Sequence, residues 1–259
     1  MTVTPELMRR LASAAAAETL PRFRQFGSVS NKLASGFDPV TEADREAERA
    51  IRAVLREAFP EHGLLGEEWG GERLDSRHVW VIDPIDGTRS FISGIPLWGT
   101  LVGLLDQGDA VAGLMAQPFT GELFFTDGEK ALYEGPGGPR ALKTRKVTQL
   151  AEATLCTTTP SLFTADERPL YDRLERAVRL PRYGTDCYAY AMLAAGQVDL
   201  VAESGLQPYD IVALIPLIEK AGGVITDWQG GPAEKGGRVL AAATPALHAE
   251  AMRLLSAQS

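Results

Sequence analysis

Two aspartates three residues apart stand in the run Trp80-Val81-Ile82-Asp83-Pro84-Ile85-Asp86-Gly87-Thr88. A β-rich stretch over 78–82 delivers Asp83 at its end, and Pro84 and Gly87 predict a tight turn, so that Asp86 and the backbone amides of Gly87 and Thr88 face one point. Two carboxylates around such a turn make a platform for a divalent metal, and adjacent N–H groups at a following helix start cradle a phosphate. A bare pair at this spacing is ordinarily an acidic surface turn; the Pro, the Gly-Thr and the apolar run before it favour a site. Three further acidic motifs accompany it: Gly66-Glu67-Glu68 behind the apolar pair Leu64-Leu65, Asp44 in Asp38-Pro-Val-Thr41-Glu-Ala-Asp44, and Asp210 in Pro208-Tyr209-Asp210. Taken singly these read as a solvated Glu pair, a helix-start acid and a capping or dipole residue.

Other chemistries are poorly supplied. The 259 residues hold two cysteines, Cys156 and Cys187, without C-x-x-C spacing, and three histidines, His62, His78 and His248. That argues against a disulfide framework and against a thiolate or imidazole zinc centre, leaving a hard cation of Mg or Ca type held by oxygen. Neither cysteine lies in a C-x5-R phosphatase loop, the EF-hand spacing is absent, and Asp83-Pro-Ile-Asp86 differs from the D-x-D-x-T/V of aspartyl-phosphate enzymes. A net charge of −8 disfavours a nucleic-acid partner, and the basic cluster over 140–146 reads as a solvated loop or edge strand. No apolar run approaches the roughly 20 residues that span a bilayer. Glu6 and two arginines interrupt the opening ten residues, unlike a secretory signal, so a cytoplasmic location without membrane attachment is expected.

Apolar residues at 45% and charged residues at 23% are ordinary globular composition. Apolar spacing predicts a helix over 5–26 and another from an N-cap at Thr41 to about Ala58, with Glu42 and Asp44 in its first turn. A largely antiparallel set of strands follows: 78–82, a hairpin of 97–105 and 110–116 turning at 106–109, then 122–126 and 130–133. The Gly/Pro run 134–139 is the best linker by composition. Beyond it strands alternate with helices near 166–179, 187–195 and 208–221, the last expected to kink at Pro216. Two α/β layered halves, 1–138 with most of the acidic motifs and 139–259 with Asp210, are predicted to face each other across a cleft.

In order along the chain, Val40-Thr41-Glu42-Ala43-Asp44, Gly66-Glu67-Glu68, Trp80 to Thr88 and Tyr209-Asp210 resemble the inositol monophosphatase family, the lithium-sensitive Mg-dependent phosphatases related to fructose-1,6-bisphosphatase. Gly87-Thr-Arg-Ser-Phe-Ile-Ser-Gly-Ile-Pro96, Gly184-Thr-Asp-Cys-Tyr-Ala-Tyr190 and Val198 to Glu203 are similar to its histidinol-phosphatase branch; where inositol monophosphatases usually carry an Asn-Phe pair this chain has Arg89-Ser90-Phe91. The resemblance implies an α+β fold, a layered αβαβα sandwich, and two or three Mg2+ ions. It assigns Glu67, Asp83, Asp86, Asp210 and the Ile85 carbonyl to those ions. Asp44, Glu68 and Thr88 become catalytic, polarising a metal-activated water that attacks directly without a covalent enzyme intermediate. Gly87, Thr88, Arg89, Asp186 and Glu203 become substrate-binding. The implied reaction is hydrolysis of a small phosphate monoester, histidinol phosphate in histidine biosynthesis, with inositol 1-phosphate or a sugar phosphate as the alternative. An added acid at Asp186 suits a substrate carrying an ammonium and an imidazole; Asp186 also reads as an N-cap for the helix at Cys187, and both roles are compatible. A homodimer is implied, with the apolar hairpin around 97–115 as a candidate part of its interface.

Overall fold

The protein is described by a computed structural model over residues 3–25, 29–31 and 39–256; Asp38 lies outside these. Helix α1 (Pro5–Thr19) is capped by Thr4, whose hydroxyl accepts from Leu7 N. A short pair, β1 (Val29–Asn31) and β2 (Pro39–Thr41), precedes α2 (Glu42–Ala58). Thr41 caps α2 in a reciprocal box with Asp44, as its sequence position predicts.

An eight-stranded sheet follows. Its members are β3 (Gly63–Gly66), β4 (Gly70–Glu72), β5 (His78–Asp86), β6 (Gly99–Asp106), β7 (Asp109–Gln117), β8 (Glu122–Thr126), β9 (Ala131–Glu134) and β10 (Arg140–Ala141), with α3 (Thr88–Ile92) between β5 and β6. The order is β10-β9-β8-β7-β6-β5-β3-β4, antiparallel except where β3 lies parallel to β5. The β6–β7 turn has both central residues at positive φ, Gln107 at 55° and Gly108 at 100°, the twist that a two-residue hairpin needs. The Gly/Pro run 134–139 closes the β9–β10 hairpin, and residues 142–149 make the crossing to the second sheet.

That sheet comprises β11 (Thr154–Thr157), β12 (Leu180–Tyr183), β13 (Leu200–Leu206), β14 (Val224–Asp227) and β15 (Gly237–Ala242) in the order β12-β11-β13-β15-β14. Helices α4 (Arg168–Ala177), α5 (Asp186–Ala194), α6 (Pro208–Ile211), α7 (Leu214–Lys220) and α8 (Pro245–Ser256) connect or follow its strands.

The layering comes from strand alternation, because successive side chains leave opposite faces of a sheet. Val102, Leu104, Leu114 and Phe125 meet Leu7, Leu11, Ile51 and Leu55 of α1 and α2. Their neighbours Leu101, Met115 and Phe124 point the other way, into a central core with Tyr190 and Leu193 of α5, Leu217 and Ile218 of α7, and Cys156, Val201, Val239 and Ala241 of the second sheet. The opposite face of that sheet, Leu155, Leu200, Ala202, Leu240 and Ala242, is covered by Tyr171 and Leu174 of α4 and Leu247, Ala251 and Leu255 of α8. The result is an α+β sandwich of five layers, helix, sheet, helix, sheet, helix.

Several expectations change. Helix α1 stops at Thr19 rather than near 26. The strands of the hairpin around 97–115 are interior to the first sheet and buried on both faces over most of their length, which leaves its tip at 107–111 as the exposed part. The helix expected over 208–221 is interrupted at Val212–Ala213, four residues before Pro216, which has no N–H for the Val212 carbonyl. At that interruption the backbone of Ala213 lies directly against Gly103 and Gly113; a Cβ at Gly113 would overlap the Ala213 carbonyl. Gly113→Ala is therefore expected to lower stability by about 1–3 kcal/mol through overpacking, read as a reduced urea midpoint with an unchanged m-value.

Candidate active site

Strand β5 carries the first acids. Residues three apart on a regular strand face opposite sides. Between Asp83 and Asp86, however, the pairing with β6 slips: Asp83 lies opposite Leu101 and Asp86 opposite Gly99, so three steps on β5 match two on β6. This is a bulge inside a continuing strand rather than the tight turn expected, and its extra residue returns Asp86 to the side of Asp83. Pro84 is tolerated there because a bulge needs no ladder donor. The Pro84 carbonyl accepts from Thr100 Oγ1 at 2.8 Å, and Ile85 N donates to Asp83 Oδ1 at 3.0 Å.

Carboxylate oxygens of Asp83, Asp86 and Asp210 all lie within 4.8 Å of one another. Glu67, immediately after β3, reaches Asp83 within hydrogen-bonding distance. Four acids from three sequence motifs thus converge. Asp83 is buried, and burial followed by the charges of Glu67, Asp86 and Asp210 pushes its carboxyl well above the usual range. Asp86 is pushed up likewise by burial and by Asp186 and Asp210, opposed by hydrogen bonds from the Cys187 thiol and from the Cys187 N–H, which donates to its Oδ2 at 2.6 Å. Asp210 Oδ2 accepts from Gln207 N at 2.7 Å, so Asp210 also fills the capping role its position suggested. The donors are all hard oxygens with concentrated negative charge, which fits a divalent cation of the Mg or Ca type and not a soft metal.

Around this cluster, Gly87 takes φ 83° at the start of α3, and the Thr88 hydroxyl donates to the Ile85 carbonyl at 3.0 Å. Asp44 is buried on the first turn of α2, where its Oδ2 accepts from Thr41 N at 2.8 Å and Thr41 Oγ1 at 2.6 Å. Ala43 and Ile85 share a small core with Phe23, Phe91 and Trp98, which seats the start of α2 beside the bulge. Glu68 is half-buried and Arg89 exposed.

Asp186 does not cap α5. The N-cap is Thr185, without a side-chain cap bond, and the first-turn Cys187 N–H is taken by Asp86 from across the site. Asp186 has φ 43°, a left-handed backbone that Asp tolerates better than most residues. Its carboxylate lies against Gly87, where a Cβ would sit 3.1 Å from Oδ2, and accepts from Ser90 Oγ at 3.1 Å. Burial raises its pKa, opposed by hydrogen bonds from Ser90 and Thr158 and by the charge of Arg89. Glu203 is buried at 2% exposure, with Oε1 accepting from Thr158 N at 2.6 Å and Thr158 Oγ1 at 3.0 Å, and Oε2 from Thr157 Oγ1 at 3.2 Å. It therefore sits behind Thr158 rather than in the open cleft. Sequence reasoning missed Ser90, Thr157, Thr158 and the Cys187 amide; none stands out by type, and only the fold brings them to the acids.

The family model described as the inositol monophosphatase family matches residues 4–259. This chain belongs to the inositol monophosphatase family. Among its relatives, a chloroplastic bifunctional phosphatase of Arabidopsis thaliana is 46% identical over 195 residues, 74% of this chain but only 55% of that protein's length. A histidinol-phosphatase of Mycobacterium tuberculosis is 33% identical over 261 residues, covering 97% of this chain and 98% of the relative. The solved structure of an inositol monophosphatase from Zymomonas mobilis superposes with a TM-score of 0.86 at 38% identity, covering 97% of each chain. The chain is a phosphatase of this metal-dependent family, and its relatives include both histidinol-phosphatases and inositol-1-monophosphatases. Among the described residues no helix is long and apolar enough to cross a membrane.

Burial pushes the Glu203 carboxyl from 4.5 up to about 7, against the opposing bonds from Thr158 and Thr157. The folded state then holds a proton that the unfolded chain releases near 4.5, so this group's contribution to stability declines as pH rises from about 4.5 to about 7. Glu203→Gln, whose amide can donate to the Thr157 hydroxyl and accept from Thr158, is expected to lack that decline. Urea denaturation of both proteins across the interval should show the variant gaining, relative to the parent, on the order of 3 kcal/mol at its upper end.

Proposed function

We propose that this chain is a Mg2+-dependent phosphomonoesterase that hydrolyses histidinol phosphate to histidinol and phosphate, acting in the cytoplasm in histidine biosynthesis. The observation that carries the choice of substrate is the carboxylate of Asp186, set against Gly87 and beside Asp86. A second acid there suits an organic group bearing an ammonium and an imidazole, whereas a polyol phosphate offers no cation for it. Similarity to the histidinol-phosphatase of Mycobacterium tuberculosis over 97% of this chain supports the same reading.

In this reading Glu67, Asp83, Asp86, Asp210 and the Ile85 carbonyl hold two or three ions. Bound there, such cations would neutralise phosphoryl charge and lower the pKa of a bound water at neutral pH. The amides of Gly87 and Thr88 orient the phosphoryl group. Thr88 Oγ1 donates a hydrogen bond to the Ile85 carbonyl, which leaves an oxygen lone pair to accept a hydrogen bond from the attacking water, and Asp44 with Glu68 polarises that water and takes up its proton. Asp186 meets the cationic part of the substrate, Arg89 borders it, and Glu203 acts through Thr158. A homodimer remains part of the proposal, as does the division into subdomains 1–138 and 139–259.

Inositol 1-phosphate or a sugar phosphate is the second reading, favoured by one observation: Ser90 and Thr158 already bond Asp186 and Arg89 stands by it, so its charge is partly spent within the protein. Phosphate release from histidinol phosphate, inositol 1-phosphate and fructose 1,6-bisphosphate decides between them. Histidinol phosphate is expected to give the highest kcat/KM, with all release abolished by a chelator. Asp186→Asn keeps the left-handed backbone and the Ser90 bond while removing the charge; it should cost about tenfold or more in kcat/KM for histidinol phosphate alone, a loss of ~1.4 kcal/mol. Equal rates on all three esters would refute the assignment. Asp86→Asn should abolish turnover and weaken cation binding while circular dichroism stays unchanged, since a charged ligand is lost and the Cys187 amide keeps an acceptor.

A further inference from the structure

Helix α2 presents to the first sheet a stripe that is polar rather than apolar: Asp44, Glu48 and Arg52, four residues apart and each at most 2% exposed. Asp44 belongs to the site already described. Glu48 does not, and nothing in the chemistry above uses it. A buried carboxylate is costly unless its oxygens are satisfied, and those of Glu48 are engaged by three donors. Oε1 accepts from Arg52 Nε at 2.7 Å and from Trp69 N at 3.3 Å, and Oε2 accepts from Glu68 N at 2.7 Å. Two of these donors are backbone amides of the segment that carries Glu67 and Glu68. Arg52 extends the hold: its guanidinium also bonds the Gly70 carbonyl and Glu72 in β4. From the other side Gly66 rests on the Glu48 carboxylate so closely that a Cβ there would overlap it. Gly66 is outside the positive-φ set, so it is the proximity of Glu48, and not backbone conformation, that demands a glycine.

We propose that Glu48 is a positioning residue for cation binding: its buried carboxylate, neutralised by Arg52, clamps the backbone amides of Glu68 and Trp69 and thereby aims the Glu67 carboxylate at Asp83. The proposal rests on the reading of Glu67 as a cation ligand. Glutamine cannot replace the clamp. Three N–H donors converge on Glu48, and an amide offers them one oxygen while turning its own NH2 toward a donor. Residues that orient ligands from behind typically contribute tenfold to a hundredfold to metal affinity.

The test is calorimetric titration of Mg2+ into the purified full chain, chelator-treated beforehand, together with the Mg2+ concentration that half-saturates phosphate release. Glu48→Gln is expected to bind Mg2+ roughly tenfold to a hundredfold more weakly, to need correspondingly more for activity, and to recover most of kcat at saturation. Gly66→Ala, which displaces the same carboxylate from the opposite side, should reproduce the effect and serves where Glu48→Gln fails to fold. Leu247→Ala, in the outer core beneath α8, lowers thermal stability without touching this segment and should bind Mg2+ as the parent does. A folded Glu48→Gln with parental Mg2+ affinity overturns the proposal and leaves the role of Glu67 intact. An equal loss in Leu247→Ala overturns it too, since general destabilisation then accounts for the effect. Absence of Mg2+ binding by the parent chain overturns both the proposal and the reading of Glu67 beneath it.

Discussion

Like charges gathered in a partly buried space repel, and this protein must hold its acids together before any counter-ion arrives. It does so with backbone N–H groups. Asp83 is held by Ile85 N, Asp86 by Cys187 N, Asp210 by Gln207 N and Asp44 by Thr41 N, at 2.6 to 3.0 Å. A fixed amide stabilises a carboxylate by a charge-assisted bond and also dictates its direction. Several of these amides lie where chain geometry leaves donors unclaimed by secondary structure: a bulge, and the first turns of helices. The bulge in β5 and the capped starts of α2 and α6 are thus parts of one device for orienting acids.

Much of the site was legible in the sequence because its acids sit in short local patterns with constrained geometry. Asp44 after Thr41 specifies a cap that the structure contains, and the spacing of Asp83 and Asp86 around Pro84 marks them as a pair facing one point, which they are. The details that escaped were long-range. A bulge rather than a turn separates Asp83 from Asp86, because β6 continues pairing past Pro84, and pairing cannot be seen from one strand. The Asp86 bond to Cys187 N spans 101 positions and displaces Asp186 from the capping role that its own neighbourhood suggests. Apolar spacing predicts α2, and Ala43, Ala47 and Ile51 are buried along it. The same spacing carries no sign of Glu48 and Arg52, whose burial depends on each other and on partners in the segment 68–72.

The layered fold was legible in part. The five-layer order followed from the family resemblance; β6 and β7 are apolar on both faces over much of their length, which demands cover on both sides but does not say whether helix or sheet supplies it. What alternation cannot convey is how tightly the layers approach. Gly103 and Gly113 allow the backbone at Ala213 to touch the sheet, and this contact sets the depth at which the α6–α7 segment sits.

That contact bears on Asp210, three residues before Ala213. Asp83, Asp86 and Glu67 belong to the first sheet and its edges, while Asp210 arrives from the middle layer. A cation shared among them, as proposed above, would fasten one layer to the next, like a rivet through two plates. Ion occupancy and cohesion of the sandwich would then be thermodynamically linked, and amide exchange in the central core would report on a charge bound at its rim.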